Sequence, residues 1–152
     1  METSLVYDRE PFTRLVGFAT GIHIKTQRAA ERALAPLGLT YAQFGTLAAI
    51  AERDGQSQRE LAGRLETDAN TVMVICDSLQ KKGLAERRLD PADRRVRRIS
   101  MTPDGARSFA KAGAIVEKLY RPLAEATSDA DIRKALPVLE ELYGRLKERE
   151  KS

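Results

Sequence analysis

Residues 57–83 read Ser57-Gln58-Arg59-Glu60-Leu61-Ala62-Gly63-Arg64-Leu65-Glu66-Thr67-Asp68-Ala69-Asn70-Thr71-Val72-Met73-Val74-Ile75-Cys76-Asp77-Ser78-Leu79-Gln80-Lys81-Lys82-Gly83. Ser57 followed by Glu60 is a capping box, so a short helix starts there and carries Leu61, Ala62 and Leu65 inward. Glu66-Thr67 breaks it. Asp68 is the N-cap of a second helix whose buried stripe, Val72, Ile75, Cys76 and Leu79, follows the i, i+3, i+4, i+7 spacing. Gly83 stops that helix in the C′ position, with Lys81 and Lys82 favourably placed at the negative end of its dipole. Two short helices joined by a tight turn make a helix-turn-helix, and the second is the one shaped to enter a major groove.

Beyond Gly83 the hydrophobic period falls from 3.6 to 2. Leu84 to Leu89 and Val96 to Thr102 read as two strands, the second placing Ile99 and Met101 on one face. Asp90-Pro91-Ala92-Asp93-Arg94-Arg95 is the turn between them, and a hairpin following a helix-turn-helix is a wing. Upstream, residues 12–37 repeat apolar and small side chains at helical spacing, and Pro36 and Gly38 mark the end. Thr40 with Gln43 opens another helix, closed by Asp54-Gly55. Downstream, Thr102-Pro103 restarts a helix with Pro at its first position. Helical patterning continues past a break at Thr127-Ser128 to Leu146, and Pro122 and Pro137 are expected to kink or interrupt it. The expected fold is mainly α with a small two-stranded β wing. A winged helix-turn-helix lobe (39–102) would be flanked by a helical dimerisation lobe (8–37 and 103–149), within a single domain of 1–152. The flanking apolar stripes need a partner, and a two-fold homodimer would supply it.

Composition narrows the chemistry. The 152 residues hold 26 Lys+Arg against 22 Asp+Glu, a formal charge of +4, with 42% apolar and 5% aromatic residues. Eight bases and three acids fall between Lys81 and Arg98, so that segment alone carries +5 and the rest of the chain sums to −1. A basic stripe there suits a polyanion. One Cys and one His cannot form a disulfide or a Cys/His zinc site within a chain, so neither metal nor cofactor is expected. No apolar run is long enough to span a membrane and no secretory h-region opens the chain, which gives a cytoplasmic expectation. No GxSxG, P-loop or GxGxxG signature is present, so no enzyme is expected.

Several stretches together carry a family resemblance: Leu39-Thr40-Tyr41-Ala42-Gln43-Phe44, Ser57 to Ala62, Leu79-Gln80-Lys81-Lys82-Gly83-Leu84, Asp90 to Arg95, and Met101-Thr102-Pro103-Asp104-Gly105. In order and spacing they resemble the MarR (multiple antibiotic resistance regulator) family of bacterial winged-helix transcription factors. The resemblance implies a homodimer that binds double-stranded DNA at a palindromic operator, usually represses, and is released by a small aromatic or phenolic effector or an oxidant. It also implies that Asp93 braces Arg95 through an ion pair at the wing tip.

The candidate DNA-binding residues are Ser57, Gln58 and Arg59 facing phosphates, Asn70, Thr71, Met73 and Val74 on the reading helix, and Arg94, Arg95 and Arg97 in the wing. Relatives commonly carry an arginine where Met73-Val74 stand. Those two side chains cannot donate to guanine but can touch thymine methyls, which predicts AT-biased readout. Phe12, His23, Arg28 and Phe44 are candidates for lining an effector pocket, although a buried His23 with one satisfied hydrogen bond is the plainer reading. Cys76 falls in the apolar stripe, where a free Cys acts as a small hydrophobe. The alternatives are a winged helix used for protein contacts and a redox-responsive regulator using Cys76.

Overall fold

The computed structural model describes residues 10–150 and divides into two compact units, one reaching Val116 and one starting at Glu117. In chain order the first unit holds α1 (Pro11–Leu34), a 3-10 turn (Ala35–Leu37), α2 (Tyr41–Glu52), β1 (Gln56–Ser57), α3 (Gln58–Arg64), α4 (Ala69–Lys81), β2 (Ala85–Leu89) and β3 (Arg97–Met101). α5 (Pro103–Glu125) starts in it, and the second unit holds the end of α5 and α6 (Asp129–Arg149).

The helix starts follow from their capping side chains. Thr40 accepts the Gln43 N–H while Gln43 accepts the Thr40 N–H, both at 3.1 Å. Ser57 and Glu60 repeat the exchange at α3. Asp68 accepts the Thr71 N–H at 2.9 Å to open α4. Each such cap is worth about 1 kcal/mol, which matters for helices this short. Gly83 ends α4 with φ +69°, a left-handed conformation that a residue with Cβ adopts only at a cost.

The core of the first unit is Leu34, Leu47, Ile50, Leu61, Val72, Leu79 and Ile99, all at most 1% exposed. Each contributes about 1.5–3 kcal/mol on burial. Ala30 and Leu34 of α1 and Ala112 and Val116 of α5 are buried in the same unit. The division at Val116 falls inside α5.

The sheet differs from the expected two-stranded wing by one strand. β2 and β3 form the antiparallel hairpin, with Arg88 opposite Arg98 and Leu89 opposite Arg97. On the other edge of β3 lies β1, where Gln56 faces Ile99 and Ser57 faces Arg98. Two residues cannot display an alternating pattern, so β1 leaves no periodic signal in the sequence. It ties the start of α3 to the root of the wing.

The prolines do not interrupt their helices: α5 runs through Pro122 and α6 through Pro137. Proline removes one ladder donor without forcing a stop where the rest of the turn remains bonded. Pro122 stands in the last turn of α5, where its carbonyl still accepts the Ala126 N–H at 3.1 Å. In the second unit, no residue of α6 is buried.

Candidate nucleic-acid interface

α3 and α4 are joined through the Leu65–Asp68 turn, in which Glu66 takes φ +51°. Gln58 Nε2 donates to the Ala69 carbonyl at 2.8 Å, bridging the start of α3 to the first turn of α4. That contact gives Gln58 a structural occupation in addition to its expected phosphate-facing position. Ser57 caps α3, and Arg59 is exposed beside it.

On α4, Asn70, Thr71, Met73 and Val74 are all exposed, Val74 at 65%. Thr71 Oγ1 donates to Asp68 Oδ2 at 2.6 Å. Its hydroxyl proton is thereby committed, so toward an outside group Thr71 can only accept. This hydroxyl is the chief reason the Asp68 carboxyl lies below the ordinary aspartate range, followed by the Thr71 N–H.

The eight bases between Lys81 and Arg98 separate into two sets. Lys82 donates to Gly38 O and to Gln43 Oε1; Arg87 pairs with Asp77, Arg88 with Glu86, and Arg98 with Asp90 and Glu60. Lys81, Arg94, Arg95 and Arg97 are exposed and their side chains have no partner among the described residues. The available charge is therefore concentrated at the wing tip and the end of α4, a sorting that the sequence run did not reveal.

The wing tip is shaped by carboxylates acting on backbone. Asp90 Oδ1 accepts the N–H groups of Ala92 and Asp93 at 2.7 and 3.3 Å, and Asp90 Oδ2 accepts Arg98 Nε at 2.5 Å. Those bonds, the Ala92 N–H first and the Arg98 guanidinium next, hold the Asp90 carboxyl below its usual range. Arg98 also reaches Glu60 Oε2 at 3.0 Å, linking the wing root to the α3 cap. Glu60 is likewise lowered, first by the Ser57 N–H and hydroxyl and then by Arg53 and Arg98. Asp93 Oδ1 accepts the backbone N–H of Arg95 at 2.9 Å, and the Arg95 guanidinium has no partner among the described residues. The expected Asp93–Arg95 ion pair is not formed; the contact between the two residues is this local turn onto backbone.

The four expected pocket residues are not gathered into one site. Phe12 is 58% exposed, and His23 is exposed where burial was expected, since the stretch of α1 before Ala30 has no buried residue. Phe44 stacks on Phe109 of α5 with centroids 5.5 Å apart. Arg28 does line an open groove of about 570 Å³ between α1 and α2, together with Ile24, Gln27, Glu31, Thr40 and Ala42. Glu31 Oε2 there accepts the Tyr41 N–H at 2.6 Å. Cys76 is 1% exposed, and burial pushes its thiol up to about 11, so it stays protonated at neutral pH and is poorly suited to sensing oxidants.

A sequence profile described as MarR family matches residues 37–96. The chain is 31% identical over 106 residues to a putative transcriptional regulatory protein for the hcr operon of Thauera aromatica, an alignment covering 70% of this chain and 64% of that relative. It spans less than two thirds of that protein's length. Among solved structures, a cysteine-to-serine variant of MarR from E. coli complexed with operator DNA is 25% identical. That alignment covers 88% of this chain and 98% of that one, with a TM-score of 0.75. CouR from Rhodococcus jostii RHA1 bound to p-coumaroyl-CoA is 28% identical, covering 84% of this chain and 90% of that one, also with a TM-score of 0.75.

Proposed function

The chain belongs to the MarR family of winged-helix regulators, and from that premise we propose that it is a sequence-specific transcriptional repressor. It acts as a homodimer on a palindromic operator. The observation that carries this reading is the separation of charge within one unit: Arg94, Arg95 and Arg97 stay unpaired at the wing while neighbouring bases are consumed internally. An unpaired exposed guanidinium is available to phosphates and to a narrow minor groove, where AT-rich sequence deepens the negative potential.

α4 lies in the major groove and presents Asn70, Thr71, Met73 and Val74 to base edges. Val74 and Met73 touch thymine methyls. Thr71, able only to accept, faces an adenine or cytosine amino group. Ser57, Gln58 and Arg59 lie along the backbone. The two half-sites are separated by about one helical turn, roughly 34 Å, as two-fold symmetry demands. The likeness to a MarR structure holding operator DNA supports this docking.

The effector is a small aromatic or phenolic acid whose carboxylate pairs with Arg28 in the α1–α2 groove. A likeness to a relative bound to p-coumaroyl-CoA supports an aromatic effector, while the carboxylate rests on Arg28 alone. Such a ligand acts only if it binds the DNA-free arrangement of the two reading helices more tightly than the bound one.

Replacing Arg95 with Ala should weaken operator binding at least tenfold, about 1.4 kcal/mol, with the circular dichroism spectrum unchanged. The logarithm of affinity should fall with the logarithm of salt at about −0.9 per neutralised phosphate, and one palindrome should be preferred over bulk DNA. Full affinity in the variant, or binding blind to salt and sequence, would favour a winged helix that docks on proteins instead.

A further inference from the structure

Polar side chains hold α4 at three points along its length. Gln58 bonds the Ala69 carbonyl in its first turn at 2.8 Å. Arg87 pairs with Asp77 in the middle and donates to Met73 O at 3.4 Å. In the last turn Gln43 Nε2 donates to Ser78 Oγ at 2.8 Å, while Lys82, one residue past the helix, donates to Gln43 Oε1 at 2.8 Å.

Gln43 stands apart from the other two. It is 5% exposed, and its amide is engaged on both sides, since Oε1 also accepts the Thr40 N–H of its own capping box. A capping box needs only the acceptor. The donor is sent across to α4, thirty-five residues away in sequence. Glutamate would close the same box but would bring no N–H for Ser78.

We propose that Gln43 is a positioning residue for base readout: it fixes the height and rotation of α4 against α2 and so aims Asn70 to Val74, without touching DNA. The proposal rests on the DNA-binding reading above. Asn70 lies eight residues and roughly 12 Å along α4 from the Ser78 contact, so a tilt of about 10° about that contact carries it through about 2 Å. Base-edge hydrogen bonds fail over such a distance, because they need donor–acceptor separations near 3 Å and good alignment. Long arginines reaching for phosphates re-extend and keep their charge contacts. Loss of Gln43 should therefore remove specific affinity and leave non-specific affinity in place.

The test begins with the duplex that the wild-type protein enriches from a random pool, and with a scrambled duplex of equal length. Affinities for both are measured at one salt concentration for wild type, Gln43→Leu, Gln43→Glu and Ser78→Ala. Gln43→Leu is expected to lose at least tenfold on the enriched duplex and less than twofold on the scrambled one. Gln43→Glu, which keeps the acceptor for Thr40 N–H and Lys82 but brings no N–H for Ser78, should lose at least threefold on the enriched duplex alone. Ser78→Ala, which spares the capping box should Gln43→Leu fail to fold, should lose at least threefold on the enriched duplex alone. Equal losses on both duplexes would make Gln43 a fold-supporting residue only, and unchanged specificity in all variants would also overturn the proposal. Failure of the wild-type protein to enrich any palindrome would instead overturn the DNA-binding reading, and this proposal with it.

Discussion

A Cβ added at Gly105 would lie 1.9 Å from the carbonyl oxygen of Leu84 and 2.8 Å from Cγ of Met101. The first of these neighbours is backbone and cannot rotate away. The approach is close because Thr102 donates to Gly83 O at 2.6 Å and accepts the Gly105 N–H at 3.0 Å, drawing the start of α5 onto the chain leaving α4. Gly105→Ala should therefore cost at least about 2 kcal/mol, read as a lower urea midpoint with an unchanged m-value. Wild-type stability in that variant would mean that the α5 start is displaced easily. The helix start at Thr102-Pro103 is legible in the sequence as a local cap. The demand for glycine three residues on is not, since it comes from a segment brought near only by folding. Asp93 and Arg95 show the same limit from the other side. The turn is legible, yet whether a guanidinium also reaches the carboxylate, as Arg98 reaches Asp90, depends on backbone angles that residue types leave open.

At the scale of elements, the wing is fastened by Arg98, which joins Asp90 of the hairpin loop to Glu60 of the α3 cap. Both carboxyls are held below their usual ranges. A carboxylate with a lowered folded value favours the folded state above its unfolded value, near 4. That contribution disappears as pH falls through the lowered folded value, because the unfolded chain then binds protons first. The wing and α3 cap should accordingly loosen together below about pH 4. Asp90→Asn, which keeps one acceptor oxygen but no charge, should melt at a lower temperature than wild type at pH 7, and the difference should shrink toward pH 2. A constant difference across that range would show that the pairing contributes nothing to stability. Within this scaffold the four helices from α1 to α4, the hairpin and the caps are readable from spacing, because period and capping chemistry are local. β1 and the continuous helices through Pro122 and Pro137 are not. The strand is shorter than any period, and a proline's effect depends on which neighbouring bonds survive.

At the scale of the whole molecule, apolar surface matters more than net charge. In the first unit α1 exposes Phe12, Val16, Phe18 and Ile22, and in the second unit α6 exposes Leu136, Val138, Leu139, Tyr143 and Leu146. Scattered exposed apolar residues are ordinary, but two long helices exposing them at repeated spacing suit the proposed homodimer. The 21 residues of α6 contain no buried side chain, so it gains little from burial within the chain. A second copy of the chain would cover these faces symmetrically, and obligate interfaces of this kind are large and apolar. Charged residues placed there should separate the subunits without disturbing the winged helix. Leu139→Glu combined with Leu146→Glu is expected to sediment at the 16.9 kDa of one chain where wild type sediments at twice that mass. Its far-ultraviolet spectrum should retain the helical bands of the first unit. Because two linked reading helices find their half-sites at a high effective concentration, the separated subunit should bind the palindrome at least a hundredfold more weakly. Its affinity for a single half-site should remain near that of wild type. Arg95→Ala should give the opposite pattern, with the mass unchanged and affinity reduced for both the palindrome and the half-site. An unchanged mass in the double variant would place the subunit contact elsewhere, and a separated subunit with full palindrome affinity would contradict the two-fold operator.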